Sequence, residues 1–563
     1  MSPALAAGSR GRSSPGWVVL AVAAAFGALQ TWAGVHTAAW PLPLLAMAWL
    51  AHRVLGATPG RAAALGWAFG TGWISAATWW LFISLHRYGQ LPAVLAVLAV
   101  LALAAALSLY LALAMYWVAQ ARSGRAVADA SRFAAAWLAA ELARGVWFTG
   151  FPWAATGYSQ VDGPLALWLP WLGVYAVGAM AAWIAACLGL GWTSPPPDLP
   201  GRGPAALCAP RLRKRSPLSV PRPDVLAPAV LALALPAAWG MWQGPPEFTT
   251  SAGSLRVALL QTNVAQDEKF AAEHLPATLA WVAEALKKAQ ADLVLAPETA
   301  VPLLPDQLDE LVPGYWADLQ RHFSQPGGPA ALVGVPLGSY AQGYTNSVVG
   351  LAAPRPAGAA SSAAASAAGG ASAASPAGYR YDKYHLVPFG EFIPTGFHWF
   401  TELMNIPLGD FNRGVINPPS FRAHGQRVAP NICYEDLFGE ALALRFAVAS
   451  EAPTILANVG NIGWFGNTIA VPQHLQISRV RTLELQRPML RATNTGATAV
   501  IDHRGVVQAA LPPFTRGVLQ ASVQGRQGLT PFARWSAVAG LWPLWALAAL
   551  GLGWPGGRRG RPR

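Results

Sequence analysis

Charge is scarce in this chain. Asp, Glu, Lys and Arg make up 12% of its 563 residues, about half the share of an ordinary soluble domain, so a string of soluble domains, a collagen, a coiled coil and wholesale disorder are all excluded. Acidic residues are the scarcer sign, 26 against 39 Lys plus Arg. Cysteine is rarer still. Three residues cannot build a disulfide framework, and a single cysteine in a soluble segment has to be weighed as a nucleophile. What abounds is apolar side chain, 54% of the chain with a positive mean hydropathy, which is the composition of a membrane protein.

Uncharged runs long enough to cross a bilayer core of about 30 Å, which takes about 20 helical residues, fall at 17–35, 62–85, 91–118, 165–192, 224–244 and 535–554. Two further spans are expected at 37–57, broken by Pro41 and Pro43, and at 133–150, which carries Glu141 and Arg144. These two charges share one helical face, either as a structural ion pair or as a contact for a phospholipid headgroup. Eight spans put both termini on one side. Basic residues mark alternate loops: Arg10 and Arg12, Arg53 and Arg61, Arg122, Arg125 and Arg132, the stretch from Arg202 to Arg222, and a tail from Arg558 to Arg563. The opposite loops carry almost nothing: His86 and Arg87 in one, and no Lys or Arg from Phe151 to Pro164. By the positive-inside rule both termini are cytoplasmic, and this placement of the excess charge removes the motive for a nucleic-acid reading.

Residues 1–244 are therefore expected to form a bundle of seven helices, with the first span an uncleaved anchor. Residues 245–534 are expected to form a domain outside the cytoplasm, and 535–563 a last helix with a basic cytoplasmic tail. Within 245–534 short apolar runs at 255–262, 292–297, 330–335, 346–351, 379–387, 427–433, 453–459 and 497–502 read as strands. Amphipathic stretches at 275–290, 304–324, 436–449 and 469–485 read as helices, which makes an α/β domain. Residues 354–378, mostly Ala, Ser, Gly and Pro, read as a disordered insertion without chemistry.

Cys433 is the only cysteine of that domain, since Cys187 lies in the sixth span and Cys208 in a cytoplasmic loop. It follows the strand-like run VAPNI and precedes a helix start, where N–H groups favour a thiolate or a developing oxyanion. The alternative is a small buried hydrophobe. Glu298 ends the run VLAPET and Lys383 sits in YDKYHLVPFGEF. Either alone is an ordinary strand-end charge; together with Cys433 at strand ends of one domain they supply the base and the cation that a nucleophilic thiol requires. None of the ten histidines has a metal-ligand spacing, so no metal and no cofactor is expected. GLGWPG at 551–556 matches a dinucleotide pattern by chance, with no βαβ unit around it.

Glu, Lys and Cys in that order resemble the nitrilase superfamily, whose triad they are. APETAVP covers Ala296 to Pro302, YDKYHLVPFGEFIP covers Tyr381 to Pro394 and ICYED covers Ile432 to Asp436. With eight helices around the domain, the chain resembles the apolipoprotein N-acyltransferase family. FPW at 151–153, QTNVAQDEKF at 261–270, WFG at 464–466, PQH at 472–474 and LRATNTG at 490–496 extend the likeness. The chain departs from the family pattern at Phe270, where Trp is common, and at Ile462, where Asp is common.

The resemblance implies an α-β-β-α sandwich inserted between the seventh and eighth membrane helices. It also implies transfer of an acyl chain from a phospholipid such as phosphatidylethanolamine, through a Cys433 thioester, to the α-amine of a diacylglyceryl-cysteine apolipoprotein. Glu298 is then the base and Lys383 the oxyanion partner. Glu391 and Glu435 support Lys383 or order the triad, and Tyr434 positions its carbonyl or walls the pocket. The setting is a bacterial inner membrane with a periplasmic domain, and nothing requires more than a monomer. The aromatic segment 396–411, with Trp399 and Phe400, reads as an interfacial lid or as a plain core helix; Trp464 is a further candidate lipid contact. A membrane-tethered hydrolase and a transport or binding scaffold remain the competing readings.

Overall fold

The computed structural model describes residues 16–191, 222–339, 341–354, 378–397 and 411–553. The expectations for the basic loop with Cys208, for the insertion, for Trp399 and Phe400 and for the basic tail concern residues outside these.

The first part of the chain is helical: α1 (Gly16–Val35), α2 (Pro41–Leu55), α3 (Pro59–Thr78), α4 (Ala93–Leu107), α5 (Leu109–Ala121), α6 (Ala126–Val146), α7 (Leu169–Gly191) and α8 (Pro223–Gln243). They occupy the seven positions read as apolar spans before residue 245. α4 and α5 form one 29-residue rod with a break at Ser108, whose hydroxyl donates back to the Ala104 carbonyl at 2.6 Å. Small residues let these helices touch through their backbones. A Cβ on Gly27 of α1 would lie 1.9 Å from the Phe69 carbonyl oxygen of α3, and one on Gly72 of α3 would lie 2.0 Å from that of Ala24.

Gly16–Val35, Ala93–Ala121, Pro164–Gly191 and Pro223–Gln243 are long and apolar enough to cross a bilayer. α2 has only 15 residues, and α6 carries Asp129, Arg132, Glu141 and Arg144, all buried. Glu141 and Arg144 do pair, at 3.8 Å. Glu141 Oε1 also accepts from the N–H and the hydroxyl of Thr156 at 2.8 and 2.7 Å, so neither charge faces an apolar neighbour alone.

The remainder builds two six-stranded sheets. The first runs β12-β1-β2-β3-β4-β5, from β1 (Thr249–Gln261), β2 (Leu293–Leu295), β3 (Ala330–Ser339), β4 (Gly343–Leu351), β5 (Tyr379–Asp382) and β12 (Gly517–Gly528). The second runs β11-β10-β9-β8-β7-β6, from β6 (Phe421–Ala423), β7 (Gln426–Ile432), β8 (Ile455–Gly460), β9 (Met489–Thr493), β10 (Ala499–Ile501) and β11 (Val507–Ala510). In each sheet three central strands are parallel (β1, β2 and β3; β7, β8 and β9) and the flanking ones antiparallel.

Side-chain alternation in β1 lays out the layers. Val257 and Leu259 point between the sheets, where they meet Val428, Ile432, Ala457 and Val459 of the second sheet. Ala258 and Leu260 point outward, into a core with α9 (Leu275–Lys288) and α10 (Tyr315–Phe323). The second sheet's outer face packs Ala429, Leu456 and Met489 against Leu485 of α11 (Ala470–Leu485) and Phe532 of α12 (Pro531–Ala539). This is an α-β-β-α sandwich.

Four expectations need correction. The strand read over 379–387 stops at Asp382, because the Lys383 N–H bonds the Asn346 carbonyl and the chain then turns away. The helix read over 304–324 is two helices, Pro305–Leu311 and α10, parted at Pro313 and Gly314, the latter with φ +78°. The helix read over 436–449 is a short α-helix, Gly439–Ala443, flanked by 3-10 turns. The single span read over 535–554 is α12 followed by α13 (Trp542–Gly553), bent by 89°. Gly540 adopts φ 54°, ψ −134° there, a conformation open to glycine. α12 lies on the second sheet, and the 12 residues of α13 measure about 18 Å.

Candidate active site

Lys383 directly follows β5, Cys433 directly follows β7, and Glu298 lies in the turn after β2, closed by the Ala300 N–H on the Pro297 carbonyl. Carboxyl ends of strands are where α/β sheets open crevices. The facing of the two sheets brings these three ends together. Lys383 Nζ donates to Glu298 Oε1 at 3.3 Å and to Glu391 Oε1 at 2.9 Å. The two hydrogens of the Asn346 amide go to the same two oxygens, each at 2.7 Å. Glu298 Oε2 takes no hydrogen bond among the described residues, and so remains free to take a proton.

The backbone around these groups is pinned. Lys383 is held by Asn346 on one side and by Gly414, whose N–H bonds the Lys383 carbonyl at 2.9 Å, on the other. Thr299, after Glu298, has φ +52°, which turns the chain sharply off the strand. Cys433 has φ +50°, costly for a residue with a side chain. The turn persists because Asn458 Nδ2 donates to the Cys433 carbonyl at 3.0 Å and Glu435 accepts the Ile432 N–H at 2.7 Å.

Glu391 and Glu435 differ in what they hold. Glu391 sits on Lys383, while its second oxygen accepts the Val387 N–H at 2.8 Å. Glu435 does not touch Lys383. Its oxygens accept from Ile432, Tyr384 and His385 N–H groups and from the Tyr381 hydroxyl, tying the cysteine turn to the lysine loop. Tyr434 is buried, and its hydroxyl donates at 2.9 Å to the carbonyl of Gly150, in the loop after α6. Trp464 meets Tyr88 edge-on at 5.4 Å, and its carbonyl accepts from Ser84 at 2.8 Å, so its partners are the helical turn Ser84–Tyr88.

Electrostatics follow from this packing. Burial, then the Glu298 carboxylate, push the Cys433 thiol well above its ordinary value; Lys383 and the Asn461 N–H oppose them without prevailing. Burial alone would discharge Lys383, but Glu298 and Glu391 outweigh it and hold the ammonium protonated. A second amine, Lys269, is buried and donates to the Glu298 carbonyl oxygen at 3.1 Å. Asn346 and Lys269 were not singled out from the sequence. Lys269 lies in the QTNVAQDEKF stretch, and an Asn at the head of the strand-like run NSVVGL was the available signal for Asn346. Among the described residues no group of three or more His, Cys, Asp or Glu is placed to hold a metal ion.

Two facing sheets with a Glu, a Lys and a Cys at converging strand ends define a carbon–nitrogen hydrolase fold, and the family model described as carbon-nitrogen hydrolase matches residues 256–531. The model of the apolipoprotein N-acyltransferase N-terminal domain matches residues 26–187. The chain is 47% identical over 523 residues to the apolipoprotein N-acyltransferase of Verminephrobacter eiseniae, covering 89% of each chain. It is 44% identical over 520 residues to that of Ralstonia nicotianae, covering 91% of this chain and 89% of the other. The chain belongs to the apolipoprotein N-acyltransferase family.

Proposed function

We propose that this protein moves an acyl chain from a membrane phospholipid to the N-terminal amine of a diacylated apolipoprotein, through a thioester on Cys433. The observation that carries this reading is a buried lysine clamped between two carboxylates at the cysteine turn, with the residue beside the cysteine hydrogen-bonded into the loop after a membrane helix.

Glu298 Oε2 takes the thiol proton as Sγ attacks the ester carbonyl carbon. The carbonyl oxygen becomes an oxyanion facing Lys383, which has one N–H left after serving Glu298 and Glu391. Collapse breaks the C–O bond, and the proton on Glu298 passes to the leaving lysophospholipid oxygen. In the second half the neutral α-amine attacks the thioester, Glu298 takes the amine proton, and the C–S bond breaks. The sulfur recovers that proton. An α-amine with a reference pKa near 7.7–8.0 is partly neutral under physiological conditions, so the acceptor needs no further activation.

The topology that suits this reading has eight membrane passes, both termini cytoplasmic and the sandwich in the periplasm of a bacterial inner membrane. The domain divisions are at residues 244 and 534, and a monomer suffices. Intact mass spectrometry after incubation with phosphatidylethanolamine tests the reading. An acyl-sized adduct, released by hydroxylamine, absent from Cys433→Ala and discharged by a diacylglyceryl-cysteine peptide, is the expected result. Free fatty acid made at the same rate without the peptide would instead identify a hydrolase, and no adduct on folded protein would overturn the covalent route.

A further inference from the structure

Lys269 is a buried amine to which the scheme above gives no role. It is 6% exposed, and among the described residues its one acceptor is the peptide oxygen of Glu298. An ammonium has three donors, so the contact leaves two N–H groups beside the Glu298 turn. The segment that delivers it is braced across both sheets. Thr262 Oγ1 and the Val264 N–H donate to Asn494 Oδ1 at 2.7 and 2.9 Å, and Asn461 Nδ2 donates to Gln266 Oε1 at 2.8 Å. Asn461 is also the residue whose N–H favours the Cys433 thiolate. The Lys269 segment therefore touches the base side of the site through Lys269 and the thiol side through Gln266.

We propose that Lys269 is a positioning residue for acylation: it holds the Glu298 peptide so that the free carboxylate oxygen meets the thiol, and its charge favours the thiolate as it forms. This rests on the thioester reading above. The titratable groups facing Lys269 are Glu298, from the turn after β2, and Cys433, from the turn after β7; Lys383 in turn bonds Glu298 and Glu391. On its own segment Asp267 turns outward to Arg87, at 2.8 Å. Burial lowers the amine to about 8, with Glu298 and Cys433 opposing, so most of it is charged at neutral pH.

The test compares the full-length chain in detergent with Lys269→Met, Lys269→Gln and Lys269→Arg, by acyl-adduct formation rate and by the pH profile of Cys433 alkylation with iodoacetamide. Lys269→Met is expected to acylate about ten-fold slower or worse and to shift the alkylation profile to higher pH. Lys269→Arg, which keeps charge and donors, is expected to restore most of both. Lys269→Met within about two-fold of the parent rate, with an unshifted profile, overturns the proposal. If Lys269→Met does not fold, the other two variants decide: Lys269→Gln slowed and Lys269→Arg parent-like supports the proposal, and both parent-like overturns it. Alkylation needs no lipid. A parent chain that forms no thioester therefore sinks the acyl-transfer scheme, while the alkylation shift still decides whether Lys269 acts on the thiol.

Discussion

A thiol kept protonated by burial and by a neighbouring carboxylate is not stored in its reactive form, so the proposed attack requires activation as it proceeds. Raising the pKa of an acid extends its neutral form to higher pH. Iodoacetamide alkylation of Cys433 is therefore expected to keep accelerating as pH climbs past the ordinary thiol value of about 8.5, and a plateau near neutrality would contradict this. Lys383→Met leaves Glu298 and Glu391 sharing only Asn346, and on the proposed scheme leaves the oxyanion without a cation. Acyl-adduct formation should fall by about 10²–10³ while the chain stays folded, as thermal unfolding would report. Glu298 and Cys433 were readable as candidates because each ends an apolar run, Lys383 because it sits among aromatics, and all three because they lie in motifs in a fixed order. Asn346 and Lys269 were not, because their partner Glu298 lies far along the chain and becomes their neighbour only when strands and loops assemble.

The lysine loop and helix α11 are the elements that hold the site in register. His385 lies flat on Phe438, ring centroids 3.8 Å apart, and its Nε2 has no partner among the described residues. Burial, then Arg413, lower it to about 4. A histidine depressed below its unfolded value of about 6.5 gives stability that is complete above that pH and is lost as pH falls toward its folded value. The thermal midpoint should therefore drop between about pH 7 and about pH 5, and drop less in His385→Phe. In α11, Gln473 Oε1 accepts from two indoles of the helical part, Trp153 at 3.0 Å and Trp80 at 3.2 Å. The next residue, His474, bonds Asp436 at 2.8 Å, three residues beyond the cysteine. Gln473→Met leaves the Trp153 N–H buried and unmet, which should cost about 1–3 kcal/mol, read as a lower unfolding temperature.

At this scale the sequence was a good guide where the pattern was strong, as in the apolar runs of β1 and β3 and the amphipathic stretch of α9. It missed β6, β9, β11 and β12. β12 is an edge strand whose outward residues are polar, and β9 hides Arg491 in a run too short to read. The bend at Gly540 was also invisible, since apolar composition continues through it.

Across the whole molecule the two parts share a core. Tyr434, Leu437, Phe438, Ile462, Ala470 and Ile477 of the sandwich belong to the same buried cluster as Phe69, Trp137 and Tyr158 of the helical part. Separating them would uncover apolar surface worth about 25 cal/mol per Å². Residues 245–534 expressed alone are expected to aggregate, and the full chain in detergent to unfold in one transition by both tryptophan fluorescence and circular dichroism. Two resolved transitions would show that the parts are independent. The hydrogen bond from Tyr434 to Gly150 has a kinetic meaning of its own. On the proposed topology, in which α6 is a membrane pass, it ties the turn that carries the thiol to the loop at the end of that pass, so that partners anchored in the bilayer would search for it in two dimensions rather than three. In mixed micelles the turnover rate should then follow the mole fraction of lipid at the surface and ignore dilution of the micelles in bulk.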